Sequence, residues 1–225
     1  AATVAGALRS EGVEVLVGEK VVRIVSNEDG QACGVVTGTK EIPADMVIVA
    51  TGVRPNVELA SAAGLETGPT GAIAVNERMQ TSDPDIYAGG DCAECTSLVT
   101  GKKIYAPLGS TANRHGRIIG DNITGGSSRF PGIVGTSVMK AMGVNISATG
   151  LTEHQAGEMG YSVLTSIVPW MDRAHYYPGG KPVLIKLVAD ADTGLLLGGQ
   201  VVGPGDVTKR VDTIATALSS HAKIE

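Results

Sequence analysis

Three short stretches of this 225-residue chain hold residue types suited to chemistry. In residues 81–91, a short predicted strand runs into Gly89 and Gly90 and then Asp91. Glycines let a backbone approach a ligand closely. A carboxylate after them can accept hydrogen bonds from sugar hydroxyls but would repel phosphate. The same three residues also suit an ordinary turn at a strand end. Cys92 and Cys95 have the C-x-x-C spacing of redox and zinc sites. A structural zinc normally takes four ligands, and with Cys33 as the only other cysteine no second pair exists, so structural cysteines are the preferred reading and no metal is expected. In residues 172–179, His175, Tyr176 and Tyr177 are consecutive. A phenol there can donate a hydrogen bond or a proton, or pack at a subunit interface, where tyrosine is enriched. Arg173 and Lys181 could meet phosphates or be solvated surface.

The elements that must position these residues follow from punctuation and periodicity. Residues 1–10 read as a helix stopped at Gly12. Residues 13–17 and 21–26 are candidate strands, and a turn at 27–30 returns the chain along 31–37. Residues 46–50 are an unbroken apolar run, as expected of a strand buried on both faces. One short helix lies within 55–64, and 73–75 and 86–88 are short strands. Residues 109–123 form a helix with Ser110 or Thr111 as its cap. Gly125–Ser128 reads as a linker. Beyond it the expected order is a helix at 134–142, a strand at 144–149, a helix behind a Thr152/Gln155 capping box, strands at 161–168, 183–189 and 195–202, and a helix at 207–219 capped by Asp206. The second part is therefore an α+β layer with an antiparallel sheet.

Composition excludes several classes. The charges are mixed in sign with a net of -5, which argues against a general nucleic-acid binder. No apolar run approaches the roughly 18 residues of a membrane span, and no charged-then-apolar leader is visible. An odd number of cysteines makes no disulfide framework and suits a reducing, cytoplasmic setting.

Four ordered motifs carry a family resemblance. Residues 81–91 look like the second FAD-binding motif of the FAD-dependent pyridine nucleotide-disulfide oxidoreductases. Residues 50–56 resemble the crossover from the NAD domain back to the FAD domain. Residues 107–113 resemble the start of the flavin-facing helix, and 172–179 the dimerisation domain of the coenzyme A-disulfide reductase and NADH oxidase branch. The resemblance implies the fold class α/β plus α+β: the tail of an NAD(P)-binding domain at 1–49 and a second segment of an FAD-binding domain at 50–128, both Rossmann-like, then an incomplete α+β dimerisation domain at 129–225. It also implies FAD contacts from Ala50, Thr51, Gly52, Gly89, Gly90 and Asp91, and from the backbone of Leu108, Gly109, Ser110, Thr111 and Ala112. Asn113 would face substrate or flavin, and His175, Tyr176 and Tyr177 would reach the partner subunit's reacting sulfur in a homodimer. The chain has no G-x-G-x-x-G, and the family's glycine loops and redox cysteine would precede Ala1. The expectation is a piece of a longer enzyme, using FAD and NAD(P)H to reduce coenzyme A disulfide or a persulfide. An NADH oxidase or peroxidase is the alternative. For the piece alone, the alternative is a non-catalytic dimerisation module.

Overall fold

The computed structural model describes residues 2–224, in two compact units, 1–53 and 54–225. In the first unit, helix α1 (Ala2–Ser10) ends at Gly12, whose φ of 83° places it in the left-handed region. Position 1 of the predicted helix lies outside the described residues. Strands β1 (Val21–Ser26), β2 (Ala32–Thr37) and β3 (Glu41–Pro43) form an antiparallel meander in that order. The turn between β1 and β2 is tied by Asn27 Oδ1, which accepts the Asp29 and Gln31 amides at 3.1 and 2.9 Å.

Two expectations fail in this unit. Residues 13–17 form no strand, and residues 46–50 join no sheet; Met46, Ile48 and Val49 are 76%, 82% and 67% exposed. An apolar run becomes a buried strand only where neighbouring strands satisfy its amides and layers cover its faces. Among the described residues of this unit, neither is supplied to 46–50.

The second unit begins with α2 (Glu58–Ala62) and an irregular stretch in which 73–75 and 86–88 make isolated bridges rather than strands. Strands β4 (Cys95–Thr96) and β5 (Lys103–Ile104) form a two-stranded ribbon that leads into α3 (Gly109–Ile123). Phe130, Met79, Ile73 and Val75 anchor the hydrophobic cluster of this region. Gly125–Ser128 is no free linker. The Asp121 carboxylate accepts the Ser128 amide at 3.1 Å, and Arg78 Nη2 and Asn122 Nδ2 donate to the Gly126 and Ser128 carbonyls at 2.9 Å each.

The remainder is α+β. Strands β6 (Ser137–Ala141), β7 (Val144–Gly150), β8 (Val163–Met171), β9 (Pro182–Asp190) and β10 (Leu196–Gly203) form one antiparallel sheet in the order β6-β7-β10-β9-β8. The predicted helix at 134–142 is strand β6 instead. Met142 and Gly143 both have positive φ, 45° and 76°, and join β6 to β7 in a two-residue hairpin that pairs Ala141 with Val144. Helix α4 (Glu153–Glu158) starts at the predicted capping box, with both the Thr152 and Gln155 contacts present. Helix α5 (Thr208–Ser219) buries Val211, Ile214 and Leu218, a 3.6-residue stripe, against β10 and β7. Gly199 permits this closeness, because a Cβ there would lie 2.9 Å from Ile214 Cδ1. The cap position of α5 is Val207, without a side-chain hydrogen bond to the helix, rather than the expected Asp206, whose Oδ1 accepts the amide of Thr208, the first helical residue, at 2.9 Å.

Candidate functional site

The Gly-Gly-Asp stretch folds as a 3-10 turn over Gly90–Cys92 and packs on α3. A Cβ on Gly89 would sit 2.9 Å from His115 Cβ and Ile119 Cδ1, and one on Gly90 3.5 Å from Ala112 Cβ. At Gly89 the missing side chain permits close approach to α3, whereas the Gly90 contact with Ala112 is an ordinary van der Waals distance. Gly90 also has φ 79°, a conformation side chains rarely adopt. Its amide donates to His115 Nδ1 at 3.1 Å. An accepting Nδ1 means a neutral ring with its proton on Nε2. Burial, and secondarily the Arg114 charge, hold the His115 pKa below its ordinary value. Its Nε2 is enclosed without a partner, and the ring meets Phe130 edge to face at 4.4 Å. His115 is thus the component that sequence reasoning left without a role. Its signal is helical spacing, since Ala112, His115 and Ile119 share one face of α3.

This packing sets Asp91 beside the start of α3. The carboxylate is exposed and takes part in none of the ion pairs among the described residues. Neither Ser110 nor Thr111 caps α3. The cap position is Leu108, in extended conformation (φ −127°, ψ 131°) and with no side-chain hydrogen bond to the helix. The first-turn amides of Gly109, Ser110 and Thr111 are therefore left without a side-chain cap, at the helix end that carries about half a positive charge. A cavity of about 240 Å³ borders this turn, lined by Leu108, Ser110, Thr111 and Arg114 on one side and by Gly132–Thr136 on another. Close by, the Tyr105 hydroxyl is buried without a partner, and burial and the Asp91 charge raise its pKa. An uncapped helix N-terminus with a free carboxylate beside it is a donor-and-acceptor set that fits an electron-poor ring carrying a polyhydroxyl chain. The site therefore fits FAD. Ala112 is partly buried against Gly90, whereas Asn113 is exposed.

Ala50, Thr51 and Gly52 belong to the first unit and are exposed. Cys92 Sγ donates to the Gly89 carbonyl at 3.4 Å and Cys95 Sγ to the Ile104 carbonyl at 3.7 Å. Burial pushes the Cys95 thiol up to about 11. Such a thiol stays protonated, as a packing residue would, because nucleophilic and metal-binding chemistry needs the thiolate. The loop between β8 and β9 carries His175, Tyr176 and Tyr177. The two phenols are 80% and 60% exposed, and His175 helps line an open apolar cleft of about 520 Å³ with Trp170, Met171 and Pro182.

Comparison with known proteins gives the family. Residues 1–116 match the pyridine nucleotide-disulphide oxidoreductase family, and residues 136–225 match its dimerisation domain. The chain is 47% identical over 184 residues to a Pyrococcus horikoshii NAD(P)H coenzyme A polysulfide/persulfide reductase, covering 82% of this chain and 41% of that protein. It is 36% identical over 218 residues to an Enterococcus faecalis NADH oxidase, covering 97% of this chain and 49% of the relative. The solved structure of an NAD-dependent persulfide reductase from A. fulgidus superposes with a TM-score of 0.95 at 47% identity, over 99% of this chain and 41% of that one. The chain thus spans between about two-fifths and half the length of these relatives. On the family match and these identities, the chain belongs to the pyridine nucleotide-disulphide oxidoreductases.

Proposed function

We propose that this chain is part of an FAD-dependent enzyme that moves two electrons from NAD(P)H to a disulfide, with coenzyme A disulfide or a persulfide as acceptor. The observation that carries the reading is the junction of the Asp91 turn with the uncapped start of α3. FAD bound there would supply the two-electron relay between nicotinamide and sulfur. Asp91 would accept hydrogen bonds from the ribityl hydroxyls, and the Gly109–Thr111 amides would face the pyrimidine edge of the flavin. Their positive end favours extra negative charge at that edge. Neutral His115 holds the Gly90 amide, and through it the Asp91 backbone, in register with α3.

We assign residues 1–49 and 50–128 to the NAD(P)- and FAD-binding regions and 129–225 to a dimerisation domain. Homodimerisation is supported by the exposed apolar residues of β8, where Leu164, Ile167 and Trp170 are 49%, 56% and 64% exposed. Tyr176 and Tyr177 would then reach the partner's reacting sulfur and hold or deliver a proton there, with His175 supporting them. The free cysteines suit a reducing, cytoplasmic setting. A second reading, an NADH oxidase, is supported by relatives of that name, one of them 36% identical over 97% of this chain.

Stopped-flow absorbance of the native-length protein separates the two half-reactions. Tyr177→Phe should slow re-oxidation of the reduced enzyme by coenzyme A disulfide and leave flavin reduction by NAD(P)H unchanged. Rapid re-oxidation by oxygen with none by the disulfide would favour the second reading instead.

A further inference from the structure

We propose that Asp172 and Arg173 are positioning residues that present Tyr177, and with it Tyr176, to the disulfide substrate. The proposal deepens the reading of these phenols given above and rests on it. The loop from 172 to 181 projects from the end of β8, and its two phenols are largely exposed. An exposed loop of this length keeps much of its conformational freedom unless something other than burial fixes it.

Asp172 fixes the base. Its side chain is 3% exposed. Oδ1 accepts the Lys181 amide at 2.9 Å and Oδ2 accepts the Asp206 amide at 3.0 Å. The Asp172 amide in turn donates to the Lys181 carbonyl at 2.9 Å. One carboxylate therefore closes the loop and ties it to the turn ahead of α5. A buried carboxylate is tolerated only when its lone pairs are used, and here backbone amides use both oxygens and hold the pKa low. The turn packs tightly, since a Cβ on Gly205 would lie 2.9 Å from both Asp172 Cβ and the Lys181 carbonyl oxygen.

Arg173 carries the constraint outward. Its Nε lies 3.4 Å from Asp172 Oδ1, Nη1 donates to the Pro178 carbonyl at 3.4 Å, and Cζ stands 5.5 Å from the centre of the Tyr177 ring. A guanidinium over a ring face is attracted to it. The Tyr177 amide donates to the Ala174 carbonyl at 2.9 Å, and His175 meets Tyr176 edge to face at 5.7 Å. A continuous chain of contacts thus runs from the α5 turn through Asp172 and Arg173 to the Tyr177 ring. No residue of the 172–181 loop belongs to the three hydrophobic clusters, so its contacts serve the loop more than the core.

The test is a double-mutant cycle on the native-length flavoprotein, read in both half-reactions. Asp172→Asn keeps the shape but turns an amide NH2 toward one of the two amide donors. It should slow re-oxidation by coenzyme A disulfide about tenfold, leave flavin reduction by NAD(P)H within about twofold, and add almost nothing in a Tyr177→Phe background. Arg173→Met keeps the aliphatic stem without the guanidinium, buries no new polar group, and should give the same pattern if Asp172→Asn fails to fold. Effects that multiply in the double variant, equal slowing of both half-reactions, or no change in either would overturn the proposal. If Tyr177→Phe and Tyr176→Phe are both silent, the substrate-facing reading of the phenols fails first and the proposal falls with it.

Discussion

Two antiparallel sheets of this chain draw on similarly apolar residues and reach opposite degrees of burial. In the three-stranded meander of the first unit, β1 (Val-Val-Arg-Ile-Val-Ser) is exposed at five of six positions. In the five-stranded sheet, β10 (Leu-Leu-Gly-Gly-Gln-Val-Val-Gly) is buried at six of eight. The difference lies in the covering. β10 has β7 and β9 on its two sides and α5 across one face, whereas α1 contributes no buried residue to the first unit. Apolar sequence qualifies a strand for burial, and neighbouring layers decide whether burial occurs.

Matched truncations break or sharpen that contrast. Leu197 in β10 is 2% exposed and Ile48 is 82% exposed. Leu197→Ala should cost about 3 kcal/mol of unfolding free energy, while Ile48→Ala should stay within about 0.5 kcal/mol. Denaturant titration of each variant at native length checks both. A large loss at Ile48 would mean that this run is covered in the whole protein.

The Gly89 contact is the next largest effect. Gly89→Ala places a Cβ 2.9 Å from His115 Cβ, and overpacking of this kind costs about 1–3 kcal/mol. Because the strain falls on the turn that presents Asp91, bound flavin should be released more readily than the loss of stability alone accounts for. Flavin fluorescence during unfolding measures the two together.

The smallest effect is a pH dependence. Burial makes folded His115 harder to protonate than the unfolded residue, whose pKa is about 6.5. The unfolded chain therefore takes up this proton first as pH falls. The contribution of His115 to stability is complete above about pH 6.5 and is lost as pH falls below it toward the lowered folded value. Asp121, Asp172 and Asp206 also have lowered values, but from a starting point of 3.8, so their contribution disappears only in stronger acid. Between about pH 4 and 6.5, His115→Asn, which keeps an acceptor near the Nδ1 position, should flatten part of the slope seen in the native protein.

Much of the second unit was legible because local chemistry and global layers agree there. The Thr152/Gln155 capping box, the β9–β10 hairpin and the α5 stripe each announce themselves in residue type and spacing. β6 did not, because its turn is Met142-Gly143, with a methionine in a left-handed position more often filled by asparagine or aspartate. Residue types marked the Gly89–Asp91 turn, but not its packing on α3. Gly89 and Gly90 are shaped by His115 and Ala112, more than twenty residues on, and no local pattern carries that contact. The Asp172 clamp was hidden for the same reason, since its partners Lys181 and Asp206 become neighbours only when β8, β9 and α5 assemble.

The central claim is that the Asp91 turn and the start of α3 hold a flavin. Its most direct measurement is the FAD content of the native-length protein and of its Asp91→Ala variant, by visible absorption after gel filtration. The account predicts a yellow native protein and a variant that folds normally but loses most of its flavin on the column. A variant that keeps FAD with the same spectrum and affinity would contradict it.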